Sequence, residues 1–174
     1  MERLNQWLTL VANFGVVIGI VFLAYEMRLN TNAMLSGTAA QMVSNWNSIQ
    51  MTIAAEEGLP EALAAAAGKD WQPDFSSAPT LRVMNAASSM LRSTEYEFNE
   101  YQRGNLDEEI WSAHRWANRD FIANNQYLIM FWGLFRPGFG ISFRDFMDDM
   151  IREICSKQAC PEGGRPEDWT ELST

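Results

Sequence analysis

The sequence predicts an all-α protein: a single N-terminal transmembrane helix followed by a small helical bundle. Three observations carry this expectation. Residues 8–25 contain no charged side chain, apolar residues in the rest of the chain recur at helical spacing, and no segment alternates with the period of two that a strand requires. At 174 residues and 19.8 kDa there is room for one compact domain besides the anchor. The expected boundaries are an anchor at 1–27, a helical soluble domain at 28–158 and a C-terminal tail at 159–174.

The anchor comes first. From Leu8 to Tyr25 the only polar side chains are Thr9, Asn13 and the terminal Tyr25. At about 1.5 Å of rise per residue this run crosses most of a bilayer's hydrocarbon core. Trp7 and Tyr25 stand at its ends, where amphipathic rings favour the interface, and Trp7 is expected to touch lipid or a partner. A cleavable signal peptide and a soluble core helix are the competing readings. Against the first, Arg3 is the only basic residue ahead of the run and no A-x-A-like site follows Leu23. Within the span, Gly15 and Gly19 form a G-x-x-x-G with Ala12 on nearly the same face, which lets a neighbouring backbone approach closely. Small residues are common in such helices, but Asn13 adds an amide that is costly in lipid without a partner. These three residues are the expected packing face of the membrane helix.

From Glu26 to about Glu57 the chain reads as helix through Met27, Met34, Ala39, Met42, Trp46, Ile49 and Ile53, with weak points at Asn30-Thr31-Asn32 and Gly37. Gly58-Leu59-Pro60 ends it, and Glu61 to Ala67 forms a short Ala-rich helical turn closed by Gly68. Ser77 followed by Pro79 starts a helix that runs to about Gln102 and stops at Gly104. Asp107-Glu108-Glu109 opens the next, where the dipole favours carboxylates, with Ile110, Ala113 or His114, Ala117 and Phe121 facing inward to about Ala123. Ser142 is the expected cap of a last helix, Phe143 to about Cys155. Pro161 to Thr174 is expected to be disordered in isolation.

Formal net charge is −9 and the basic residues are scattered, which excludes nucleic acid as a partner. Cys155 and Cys160 are too few for a metal site with the lone His114 far away in sequence; two free thiols and a small disulfide closing the last helix both remain open. Arg3 precedes the span and only Arg28 closely follows it, which favours an inside N-terminus and an outside domain.

The segment Leu91-Arg92-Ser93-Thr94-Glu95 through Gly104-Asn105-Leu106-Asp107-Glu108-Glu109-Ile110-Trp111, with the span exit Glu26-Met27-Arg28-Leu29-Asn30-Thr31-Asn32, resembles an uncharacterised family of small bacterial proteins. Its members have one N-terminal transmembrane helix and a helical C-terminal domain. Trp132…Phe135 and Ser142-Phe143-Arg144-Asp145-Phe146 fit the end of the pattern. The resemblance covers roughly residues 8–152 and implies the architecture; the expected location is a bacterial inner membrane, with the flanking charges, the acidic domain and a possible disulfide favouring a periplasmic domain. The resemblance implies no activity, and the cysteines and tail lie outside it.

Candidate chemistry is sparse. Arg92 and Glu95 sit one turn apart, with Glu97 and Glu100 close by in sequence, and could form an acid/base or metal cluster. The plainer reading is a partly buried Arg92–Glu95 ion pair that fixes how helices meet. His114 lacks the Glu-x-x-His spacing of a di-iron bundle and reads as a packing residue. No nucleophile set, phosphate loop or zinc spacing occurs, so no catalytic, cofactor-binding or metal residue is nominated and an enzyme is not expected. The run Tyr127-Leu128-Ile129-Met130-Phe131-Trp132-Gly133-Leu134-Phe135 has no polar face and is too short to span a bilayer. About half of it is expected in the core, with Tyr127, Phe131, Trp132 and Phe135 available for lipid or partner contact. The expected role is a non-catalytic, single-span accessory or structural subunit of a larger membrane protein complex. Its partners would be integral membrane subunits and lipid, with homo-oligomers also compatible. A self-associating membrane-anchored sensor or small-ligand-binding module is the alternative, and an anchored enzyme using Glu95, Glu97 or His114 comes third.

Overall fold

In the computed structural model, residues 2–68 and 71–161 are described, apart from the side chain of Leu4. The expectation for the tail therefore falls, from residue 162 on, outside the described residues. Among those described there is no strand, and six α-helices account for the architecture. They are α1 (Glu2–Ala55), α2 (Leu59–Ala66), α3 (Ala78–Gln102), α4 (Glu108–Asn124), α5 (Gln126–Phe135) and α6 (Ile141–Lys157), with a 3-10 turn, Arg136–Gly138, between the last two. The all-α prediction holds.

Compactness divides the chain into Met1–Thr38 and Ala39–Thr174, whereas hydropathy changes near residue 27. Helical hydrogen bonding runs through Asn30-Thr31-Asn32 and Gly37 without a break. Thr31 turns its hydroxyl back onto the carbonyl of Met27, and no proline intervenes, so one glycine costing about 1 kcal/mol does not end the helix.

In the second unit α3 is the central helix: α2, α4, α5 and α6 all pack on it. Its start is as the sequence spells it. Ser77 adopts an extended conformation and accepts from the Thr80 amide, and Pro79 occupies the first turn, where no N–H is missed. Gly104 ends it at φ +75°, a left-handed conformation that costs glycine least. Asp107 caps α4 by accepting from the Glu109 amide.

Three expectations about faces and caps are corrected. On α4 the fully buried residues are Trp111, Asn118 and Ile122; Ile110 and Phe121 pack on the core as expected and His114 is partly buried, but Ala113 and Ala117 are exposed. The helix is rotated so that Trp111 joins an aromatic cluster and Asn118 reaches a buried carboxyl. Ser142 does not cap α6; Gly140 holds that position, and its amide is taken instead by Glu95 of α3. The α1 stripe is buried only from Met42 onward, with Trp46, Ile49 and Ile53 packed on the core, while Met27 and Met34 are exposed.

The core is aromatic. Phe98 touches Trp111, Phe143 and Phe146, and Trp132 meets Phe139 and Phe143, with ring centroids 4.9–6.2 Å apart. Such rings bring large buried areas and favourable edge or offset contacts.

Candidate functional site

The N-terminal unit offers mainly an exposed surface. Every described side chain from Trp7 to Tyr25 is exposed, Trp7 by 68%, and an added Cβ at Gly15 or Gly19 would meet nothing within 4 Å. Asn13 is exposed on the same stretch. This is the one helix among the described residues long and apolar enough to cross a membrane. An uncovered apolar surface of this length is unfavourable in water, because it is the transfer of such surface out of water that stabilises.

In the second unit the suspected carboxylate cluster does not exist as one site. Glu95, Glu97 and Glu100 leave α3 in three directions. Glu100 accepts from Arg103 and from the Asn105 side-chain amide, closing the end of the helix. Glu95 pairs with Arg92 at 2.8 Å and accepts from the Gly140 amide at 3.0 Å. Arg92 also donates to the Gly138 carbonyl and lies 4.0 Å over the Phe139 ring. The expected ion pair is therefore present, and its visible effect is to clamp the 136–140 turn onto α3.

Glu97 is fully buried, at 0% exposure. Its Oε1 accepts from the indole N–H of Trp46 at 2.6 Å, and its Oε2 accepts from Asn118 Nδ2 at 3.1 Å. His114 Nδ1 stands 3.5 Å from the same Oε2, its side chain about a third exposed. The node joins α1, α3 and α4, and satisfies a group whose burial alone would be costly. Trp46 and Asn118 were missed as polar partners. A buried amide at an inward position of α4 was the available signal, obscured by placing that face one residue away.

Asp148 on α6 makes a second buried node. It accepts from the Trp132 indole at 2.9 Å and pairs with Arg136 through two nitrogens at 2.7–3.1 Å. The hydrogen bond to Asp148 holds the Arg136 guanidinium above its ordinary pKa. Such two-nitrogen pairing fixes geometry as well as charge.

These contacts overturn the expectation that Tyr127, Phe131 and Trp132 offer themselves to lipid or a partner. All three are at most 2% exposed. Being apolar on every side, α5 is enclosed by α3, α4 and the aromatic residues that follow it. Phe135 is half-buried, and Leu134 is the side chain of this helix left open.

Cys155 and Cys160 are disulfide-bonded. Beside them a cleft of about 470 Å³ opens, lined by Trp71, Phe75, Tyr127, Met130, Leu134 and Pro161 among others. Burial pushes the Tyr127 hydroxyl up to about 12. Among the described residues no group of three or more His, Cys, Asp or Glu is placed to hold a metal ion.

No protein-family model, curated protein or solved structure matches the chain.

Proposed function

We propose that this protein is a single-pass, membrane-anchored, non-catalytic accessory subunit of a larger membrane protein complex. The observation that carries the reading is the uncharged helix surface from Leu8 to Tyr25, exposed throughout, with Gly15 and Gly19 open to close approach. Asn13 on that surface needs a polar partner once in lipid. The second unit supports the reading by where its polar groups go. Glu97, Glu95 and Asp148 are each engaged in holding helices together. The resemblance to small bacterial membrane proteins fits an inner-membrane location. The disulfide and the sparse basic flank fit a domain on the oxidising, periplasmic side.

The test is purification from native membranes in mild detergent, with the double substitution Gly15→Leu and Gly19→Leu alongside. Other subunits co-purify with the natural chain and are lost with the variant, while unfolding of the helical domain is unchanged. A monodisperse lone monomer indifferent to both substitutions sinks the proposal.

The cleft beside Tyr127 favours a second reading, a membrane-anchored module holding a small apolar ligand, since its volume and aromatic walls are those of small-molecule sites. A thermal-shift screen of neutral aromatic and isoprenoid compounds without any response removes it.

A further inference from the structure

The segment after α6 doubles back and is tied down twice within the disulfide loop. Gln158 Nε2 donates to the Ala123 carbonyl at 2.7 Å, and Gln126 Nε2 donates to the Ala159 carbonyl at 3.1 Å. Residues 158–161 therefore form a strap across the corner between α4 and α5, and Pro161 supplies part of the wall of the Tyr127 cleft. The strap holds its course because Cys160 is bonded back to Cys155 on the last turn of α6. Both cysteines are partly exposed, so an attacking thiolate can reach the bond.

We propose that the Cys155–Cys160 disulfide is a thiol-accessible switch that seats the 158–161 strap and thereby sets how far the Tyr127 cleft is open. The bridge closes a loop with a sequence separation of only 5, so it restricts the unfolded chain far less than a long-range bridge would. Both cysteines pack at the edge of the core as partly buried side chains, while the Glu97 and Asp148 nodes make none of their contacts through the bridge. Reduction therefore frees the strap and leaves the bundle folded. The reductant is a dithiol. One of its thiolates attacks a cystine sulfur, the S–S bond breaks to a mixed disulfide, and the second thiol displaces the protein cysteine. Two protein thiols and one oxidised dithiol result, with two electrons transferred.

The experiment uses the full chain in detergent micelles, oxidised or treated with dithiothreitol, and reads hydrogen exchange together with hydroxyl-radical labelling. On reduction, exchange rises several-fold in residues 156–160 and at the α4–α5 corner, labelling of Met130 and Tyr127 rises, and helix content is unchanged. The double variant Cys155→Ser and Cys160→Ser shows the reduced pattern without reductant and no further response to it. Gln126→Ala with the disulfide intact loosens the corner only partly, because the covalent tie remains. Three results overturn the proposal: resistance of the bridge to the dithiol, reduction with unchanged exchange and labelling, or loss of the whole fold on reduction.

Discussion

The indole N–H of Trp46 donates to Oε1 of Glu97 at 2.6 Å, joining residues 51 positions apart. With Asn118 on the other oxygen, this contact lets a fully buried carboxyl serve as the meeting point of α1, α3 and α4. Trp46→Phe keeps most of the packing and removes one donor, and is expected to destabilise by about 1–3 kcal/mol. Glu97→Ala removes the acceptor for both donors and opens a cavity, and is expected to cost more, about 3–5 kcal/mol. Denaturant unfolding followed by helix circular dichroism measures both. Equal, near-zero effects would show that the node holds nothing together.

The clamp of Arg92 and Glu95 on the 136–140 turn is more exposed and should matter less to the fold as a whole. Arg92→Ala is expected to cost about 1 kcal/mol or less, and Glu95→Ala about 1–2 kcal/mol because the Gly140 amide loses its acceptor. Hydrogen exchange at Phe139 and Gly140 is the sensitive readout, rising in both variants. A change spread evenly over the domain would contradict the local role.

Burial raises the Tyr127 hydroxyl from the ordinary value of 10 to about 12. A folded-state value above the unfolded one contributes stability that is fully present below pH 10 and is lost as pH rises through about 12. Stability measured across that window is expected to fall more steeply in the natural protein than in Tyr127→Phe. Identical slopes would place the alkaline sensitivity elsewhere.

Substitutions along α5 separate core from surface. Trp132→Ala is expected to cost at least about 3–5 kcal/mol, since it empties a fully buried site and removes a donor to Asp148. Leu134→Asp, at a position 53% exposed, is expected to stay within about 0.5 kcal/mol. Thermal unfolding checks both, and a reversed order would restore Trp132 as a contact residue.

Much of the fold was legible because its signals are local. Ser77 with Pro79, Asp107 with its acidic neighbours, and Gly104 each act within one turn of the residue that reveals them, and all three stand where they were read. The cap of α6 was not legible. Ser142 has the right chemistry nearby, but the Gly140 amide is served by Glu95, 45 positions earlier, and local pattern does not carry that distance. The same limit explains the carboxylates. Glu95, Glu97 and Glu100 look like one cluster along the sequence, yet Glu95 turns to the cap of α6, Glu97 to α1 and α4, and Glu100 to the end of its own helix. In α5 the absence of a polar face left core and contact both open, and only the neighbours that enclose it decide between them. The disulfide was undecidable from spacing, which does not report whether the chain turns back.

The enclosure of α5 also constrains the order of assembly. Trp132 is finished only by Phe143 and Asp148, which belong to α6, the last helix among the described residues. Until α6 docks, a nascent chain carries a strongly apolar helix with one side open, the kind of surface that chaperones hold and that aggregates when left unattended. A message truncated anywhere ahead of Phe143 would thus leave a fragment unable to complete its own interior.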